Sequence, residues 1–464
     1  MNKLILWSEW TQAFSALRVA FSRQTTFFWA IVACAGMTIR DDHFGVTSIV
    51  RAFGLTDASY HCLLRLFHSN AVNLDKLLSA WIALCFNLFD PICVDGFMVL
   101  IVDGVKIGKE GKKMPAVKSL HQDSASNSKS EFIMGHYFEA VSLAVVSPLG
   151  KIAAIPLVAR IHDGIVKSNR GKKTLIDKAA ELLIEVTDRA GHPAIVIADA
   201  YYAAKTMINP LIATGNHLVT RVQHNASAHY SAVVSPRRKR PGRPKKYGEK
   251  VVLRELFKQF DTISERGEDY RYYCIDLIWR PVKQLVRFVL VEHETKGRYI
   301  LMTTNLSLSP QAVVKLYRSR WLIETGFKQS IHTIGTYAYH FWMKGMTKIK
   351  KCSNGQHLHR CSEVYRSQVD RKLKAFNFHV ALGCIAHGLT LHLAINFRVQ
   401  VWKSFSGWLR TLNKSQEPSE LVVAKALQAT LPNFLQASKN GLDWRKFLLS
   451  RINLERQGPM SRVA

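Results

Sequence analysis

Asp103 closes the apolar run FMVLIV and Asp199 closes AIVIA, so each carboxylate stands at the end of a predicted strand, where a sheet margin opens to solvent. Taken singly, each one reads more readily as a helix cap or a turn former. A helix predicted to start at Pro310 and run to Gly335 carries Tyr317, Arg320, Glu324 and Lys328 at spacings of three, four and four. At about 100° per residue these side chains fall within an arc of about 80°. The simpler reading is a solvated face laced by Arg–Glu and Glu–Lys pairs. If the three acids converge, they can do phosphodiester chemistry. Two divalent ions about 3.5–4 Å apart, held by carboxylates, activate the attacking oxygen and stabilise the leaving one. Oxygen ligands favour Mg²⁺, with Mn²⁺ as a substitute. Asp103, Asp199 and Glu324 are therefore the candidate catalytic and metal-ligating residues.

The elements that must position them change character along the chain. Residues 1–92 have apolar positions at helical spacing and turn signals at Asp41-Asp42, Gly54 and Asn73, which predicts a small helical domain. Within it, SIVRAFGLTDASYHCLLRLF reads as helix, glycine turn, helix, with Thr56 or Asp57 placed to cap the second helix. That pattern suits a helix-turn-helix DNA reader and equally an ordinary bundle. A mixed α/β region follows over 93–345. Its short β-branched runs alternate with the helical LIDKAAELLIEV, and a β-rich insertion at about 223–305 interrupts it. Ser309-Pro310 gives an N-cap followed by a first-turn proline. Residues 346–464 form a basic, largely helical tail.

The chain has 464 residues, with 64 Lys and Arg against 34 Asp and Glu, a formal charge of +30. Such a surplus exceeds what solubility needs and points to a polyanionic partner, without separating an enzyme from a binder. Eight cysteines scattered through apolar stretches predict buried, reduced thiols and a cytoplasmic protein. Glu9 interrupts the first apolar run before an export signal could form. FFWAIVACAGM is too short to span a bilayer and the stretch from Ala375 to Phe397 contains three histidines, so both are expected to be buried helices and no membrane is expected as a partner.

The strand ending in VDG, the strand ending in IAD and the segment YRSRWLIETGFKQ together resemble the DDE transposases of the IS4 insertion-sequence family. That family's third motif is Tyr, two residues, Arg, three residues, Glu, then six residues before Lys. Tyr317, Arg320 and Glu324 match it; Ile331 holds the lysine position, and Lys328, on nearly the same face, is its candidate replacement. The resemblance covers Asp103 to Trp342. It implies an RNase H-like mixed-sheet core, which the helical, candidate DNA-end-binding domain read over residues 1–92 would precede and the helical tail would follow. It also implies cleavage at transposon terminal inverted repeats, strand transfer into target DNA, and a homodimer holding two ends.

Further residues invite roles in DNA binding. Arg320 and Lys328 suit phosphates, or merely neutralise Glu324. Tyr317 is similar to the family tyrosine at the cleavage site. Trp279, in LIWRPV, is a candidate for stacking on a displaced base, with core packing as the plainer reading. RRKRPGRPKK, from Arg237 to Lys246, holds seven basic residues in ten around Arg243 and looks like an AT-hook, an extended arginine that enters the minor groove. Six lysines between Lys106 and Lys129 read as a loop able to hold DNA. Cys352, His357, His359 and Cys361 are spaced unlike the usual zinc knuckles. Besides a transposase, the sequence leaves open another RNase H-like nuclease and a catalytically silent DNA-binding derivative.

Overall fold

The computed structural model describes residues 4–122, 130–168, 173–232, 245–350, 355–437, 443–453 and 455. The chain forms two compact units that interleave in sequence, one from residues 1–91, 104–172 and 324–464, the other from residues 92–103 and 173–323.

The second of these units is built on a mixed sheet. The strand Phe97–Gly108, counted with this unit as far as Asp103, pairs in parallel with Ala194–Ala198, which pairs in parallel with His217–Val222. The sheet then turns antiparallel through Gly297–Thr303, Gln284–His293 and Tyr270–Trp279. Ser227–Ser231 and Tyr247–Val252 extend it, so the described part of residues 223–305 is rich in strand. Ala194–Ala198 is buried along its whole length, which its uncharged AIVIA composition requires of a central parallel strand. Helix Leu175–Ala190 begins in a Thr174/Asp177 capping box and ends at left-handed Gly191.

Helix Pro310–Arg318 starts as predicted, with Ser309 Oγ accepting from the Ala312 amide and proline in the first turn. Its far end is fixed by Arg318, which pairs with Asp269 and lies 5.1 Å from the Tyr270 ring. The single helix expected to Gly335 is not formed. Ser319 and Arg320 make a turn, helix Trp321–Gln329 follows, and Ser330–Ile334 is π-helical before left-handed Gly335. The buried Ser319 hydroxyl donates to Leu316 O at 2.6 Å, and the Arg320 amide reaches Tyr317 O, three residues back. This local bonding competes with the regular helical ladder and tightens the turn.

The first unit packs helices around an antiparallel hairpin, Phe132–Val146 with Ile152–Ile161. The long helix Glu363–Asn396 packs on Ile152–Ile161 and Gln24–Ile39 packs on that helix, both largely buried as expected; the long helix alone among the described helices has the length and composition to cross a membrane, and 83% of its apolar 18-residue stretch is buried. Helix Val46–Phe53, Gly54 at φ 61° and helix Asp57–Phe67 follow one another in the first unit, and Thr56, at the N-cap of the second helix, makes no side-chain cap hydrogen bond. Buried Arg40 donates to Gly45 O, Ile334 O and Gly335 O, which closes the end of the π-helical turn. The described cysteines are free thiols, but only Cys34, Cys85 and Cys384 are buried; Cys93 is exposed because it sits on a two-residue edge strand.

Candidate active site

The three parallel strands set the register of the site. Met98 pairs with Ala194 and Ile101 with Ile197, a constant offset of 96 residues, which is also the offset from Asp103 to Asp199. Asp199 keeps extended backbone at φ −77° and ψ 179°, so the register carries through to it. Continued two residues past Ile101 and Ile197, that register sets Asp103 and Asp199 opposite one another on the same face of neighbouring strands. Asp103 does not end its strand, which continues to Gly108. Gly104 permits this continuation, since a Cβ there would lie 2.1 Å from the Tyr137 hydroxyl.

A cation completes the row. Ile195 pairs with His217 and Ala198 with Thr220, an offset of 22 that carries Asp199 across to Arg221. Arg221 is exposed and lies 5.7 Å from the Tyr299 ring. Thr220 Oγ1 donates to Asp199 O at 2.6 Å, which fixes the backbone between them. One Asp199 oxygen accepts from the Tyr201 amide at 2.8 Å, so the capping reading of this residue is realised.

Helix Pro310–Arg318 and the turn after it bring two more groups. Arg320 Nη1 meets Asp103 Oδ2 at 3.2 Å, with both side chains about one-fifth exposed, at 21% and 19%. Burial pushes the Tyr317 phenol up, opposed by Arg320 and Arg221 and reinforced by Asp199, so all three charges face this hydroxyl. Asp103, Asp199, Arg221, Tyr317 and Arg320 therefore gather in one place, three carried by the parallel strands and two by the helix and its turn. Glu324 and Lys328 are exposed on helix Trp321–Gln329, Glu324 in its first turn and four residues beyond Arg320. Because the helix breaks at Ser319, the four-residue face counted from the sequence is not a single helical stripe. Among the described residues, no three His, Cys, Asp or Glu side chains are grouped closely enough to hold a metal ion.

The family described as DDE superfamily endonuclease matches residues 16–271, more than half of the chain. The chain belongs to that family. The match includes Asp103 and Asp199 and stops short of Tyr317, Arg320 and Glu324, and its description does not reach to the IS4 group. No curated protein matches the chain.

The supporting residues fall differently. Trp279 is only 7% exposed, which favours the packing reading, yet it also edges a groove of about 690 Å³ shared with Tyr201, Val222, Gln223 and Arg280. That groove begins one residue beyond both Asp199 and Arg221. Arg243, the centre of the AT-hook pattern, and Cys352, the first of the four zinc candidates, lie outside the described residues. Of the segment expected as a lysine-rich loop, residues 106–122 are described and run from one strand into another, while Lys129 lies outside the described residues. Lys106 is in a strand, Lys118–His121 forms another, and Lys109 is buried with its ammonium donating to Tyr337 O and Tyr339 O. Lys109 also lies 3.8 Å from the centre of the Tyr339 ring, and burial pushes its amine down to about 7. Carbonyls and a ring face satisfy this cation in place of DNA.

Arg221 is the residue that sequence reasoning missed. Its signal was present in HLVTRV, a strand with a cation at its end, but only the pairing register shows that this end lies beside Asp199.

Proposed function

We propose that this endonuclease-family chain is a transposase, with an RNase H-like core that cleaves DNA at transposon terminal inverted repeats and transfers the freed strands into target DNA. The observation that carries the reading is the placement of Asp103 and Asp199 in register beside Arg221, Arg320 and Tyr317. Their hard oxygen donors suit Mg²⁺, with Mn²⁺ as a substitute, and Glu324 is the third donor on the helix that follows Arg320. A divalent cation, when bound, supplies the charge that activates the attacking oxygen and eases departure of the leaving one.

The chain's own residues bind and orient the substrate. Arg221 and Arg320 flank the aspartate pair and grip phosphates on either side of the scissile bond, which a planar guanidinium does through two parallel hydrogen bonds. Arg320 neutralises Asp103 until a phosphate arrives to share it. The Tyr317 hydroxyl, held among these charges, contacts the scissile phosphate, and Lys328 lies further along. Trp279 borders the groove that receives a displaced base. The helix-turn-helix in the first 92 residues and Arg243 take the flanking duplex, and a homodimer holds two ends.

The test is end-bearing DNA incubated with Mg²⁺ or with EDTA, comparing wild type with Asp103→Asn, Asp199→Asn and Glu324→Gln. Cleavage that needs Mg²⁺ and drops at least about 100-fold in each variant, with DNA binding retained, supports the site, since even outer partners of metal ligands cost 10–100-fold. Joined products with a target plasmid distinguish a transposase from a nuclease that only cuts. Equal cutting by wild type and variants would sink the assignment.

A further inference from the structure

Residues 397–416 read FRVQVWKSFSGWLRTLNKSQ, with Arg398, Lys403, Arg410 and Lys414 and no acidic residue. Helix Arg398–Ser404 opens the segment, and an irregular stretch follows it to the N-cap of helix Glu420–Gln436. Trp408 is 83% exposed there, with Val399 at 50% and Leu412 at 37%. An indole left this open forgoes one of the largest burial gains available to a side chain, which marks the surface as one that meets a partner.

The surface is shaped as well as charged. Arg398 Nη1 donates to Ser415 O at 2.6 Å and Trp402 Nε1 donates to Gln416 O at 3.0 Å, tying the returning chain to the helix. Between them lies a shallow cavity of about 390 Å³ lined by Arg398, Val399, Trp402, Lys403, Phe405 and Lys414. Three cations therefore converge over an apolar floor, and Trp408 stands three residues beyond Phe405. A second copy of the chain seated here about a two-fold axis would set these cations against themselves. A polyanion carrying flat apolar rings satisfies both halves of the surface, and the unpaired bases of a single strand offer their faces to an exposed indole.

We propose that residues 398–416 form a second DNA contact that binds single-stranded DNA, with backbone phosphate in the Arg398–Lys403–Lys414 cavity and a base stacked on Trp408. This rests on the reading that the protein acts on DNA, and it assigns a separate surface to the single strand that cutting exposes.

Fluorescence anisotropy on the full-length protein in EDTA tests it, using a labelled oligothymidine and a duplex of equal length. Trp408→Ala is expected to weaken oligothymidine binding about 10-fold and leave the duplex unchanged, with Trp408→Phe close to wild type, because stacking on an aromatic ring is sequence-tolerant and substantial. Lys403→Ala with Lys414→Ala should lower the log–log salt slope for the single strand by about 1.4, two phosphates at about 0.7 each. Unchanged oligothymidine binding by Trp408→Ala would overturn the proposal. So would an equal loss on duplex, a shift in sedimentation that makes Trp408 a self-association contact, or Trp408-dependent binding to vesicles of anionic lipid with DNA binding intact. Metal-dependent cleavage is read separately. If cleavage is absent and Trp408-dependent single-strand binding is present, the catalytic reading falls and this one stands; the reverse pattern removes only the docking surface.

Discussion

A guanidinium beside two carboxylates has a different value before and after a polyanion binds. Arg221 stands next to Asp199 by strand register and shares Tyr317 with Arg320, so in the proposed function both arginines turn to phosphate when DNA binds. Arg221→Ala is expected to reduce cleavage by about 10–100-fold, and Arg221→Lys to recover only part of it, because the lysine restores charge without the planar fork. Single-turnover cleavage at saturating DNA checks this. Lys109 carries the opposite case, an amine buried inside the protein, where desolvation disfavours its charged form. Its amine is held near 7 when folded against an ordinary value of about 10.4, so between those values the unfolded chain binds more protons and stability rises with pH. His136, which faces the same Tyr339, is pushed down to about 3 and stays neutral across that window. Urea midpoints at pH 7, 8 and 9 should climb in wild type, by up to about 1.4 kcal/mol per pH unit, and flatten in Lys109→Met. A flat wild-type profile would mean that the buried amine keeps its ordinary affinity for the proton.

At the scale of elements, the helix after Ser309 shows how far a pattern can be read. Its start was legible, because Ser309 and Pro310 act locally on the first turn, and Ser309→Ala should cost about 1 kcal/mol in a denaturant titration. Its break was not legible, because whether Ser319 turns its hydroxyl back on Leu316 depends on its being buried. The long helix Glu363–Asn396 gives the converse lesson. Gly383 reads as a weak point that alanine would improve by about 1 kcal/mol through helix propensity. A Cβ at that position would instead lie 2.7 Å from Thr336 Cα, in the segment just past the π-helical turn. Gly383→Ala is therefore expected to destabilise by about 1–3 kcal/mol, the cost of overpacking a close backbone approach. A raised urea midpoint would show that Thr336 yields readily.

For the whole molecule, a charge of +30 sets the long-range behaviour toward DNA. Affinity for duplex should fall about 10³-fold or more between 50 and 200 mM salt if six or more phosphates are neutralised. A shallow slope would mean that the cations are spread over the surface and not gathered on the DNA path. The chain also interleaves its two units, entering the sheet unit at 92–103, leaving it, and returning at 173–323. Asp103 is thus separated from Asp199 by a long excursion through the other unit, yet the two share neighbouring strands.

The sequence by itself determined the kinds of elements, the strand-linked acids, the Tyr317–Arg320–Glu324 spacing and the polyanionic partner, because these follow from periodicity, local turn chemistry and net charge. The family match bears out the DDE character of that reading at the superfamily level. Only the tertiary structure decided that Asp103 and Asp199 stand in register, that Arg221 joins them, that Lys109 is buried, and that Trp408 is left exposed. Each of those depends on which strand lies beside which and on what covers a side chain. Those are long-range facts, and the residue types along a chain leave them open until the sheet is assembled.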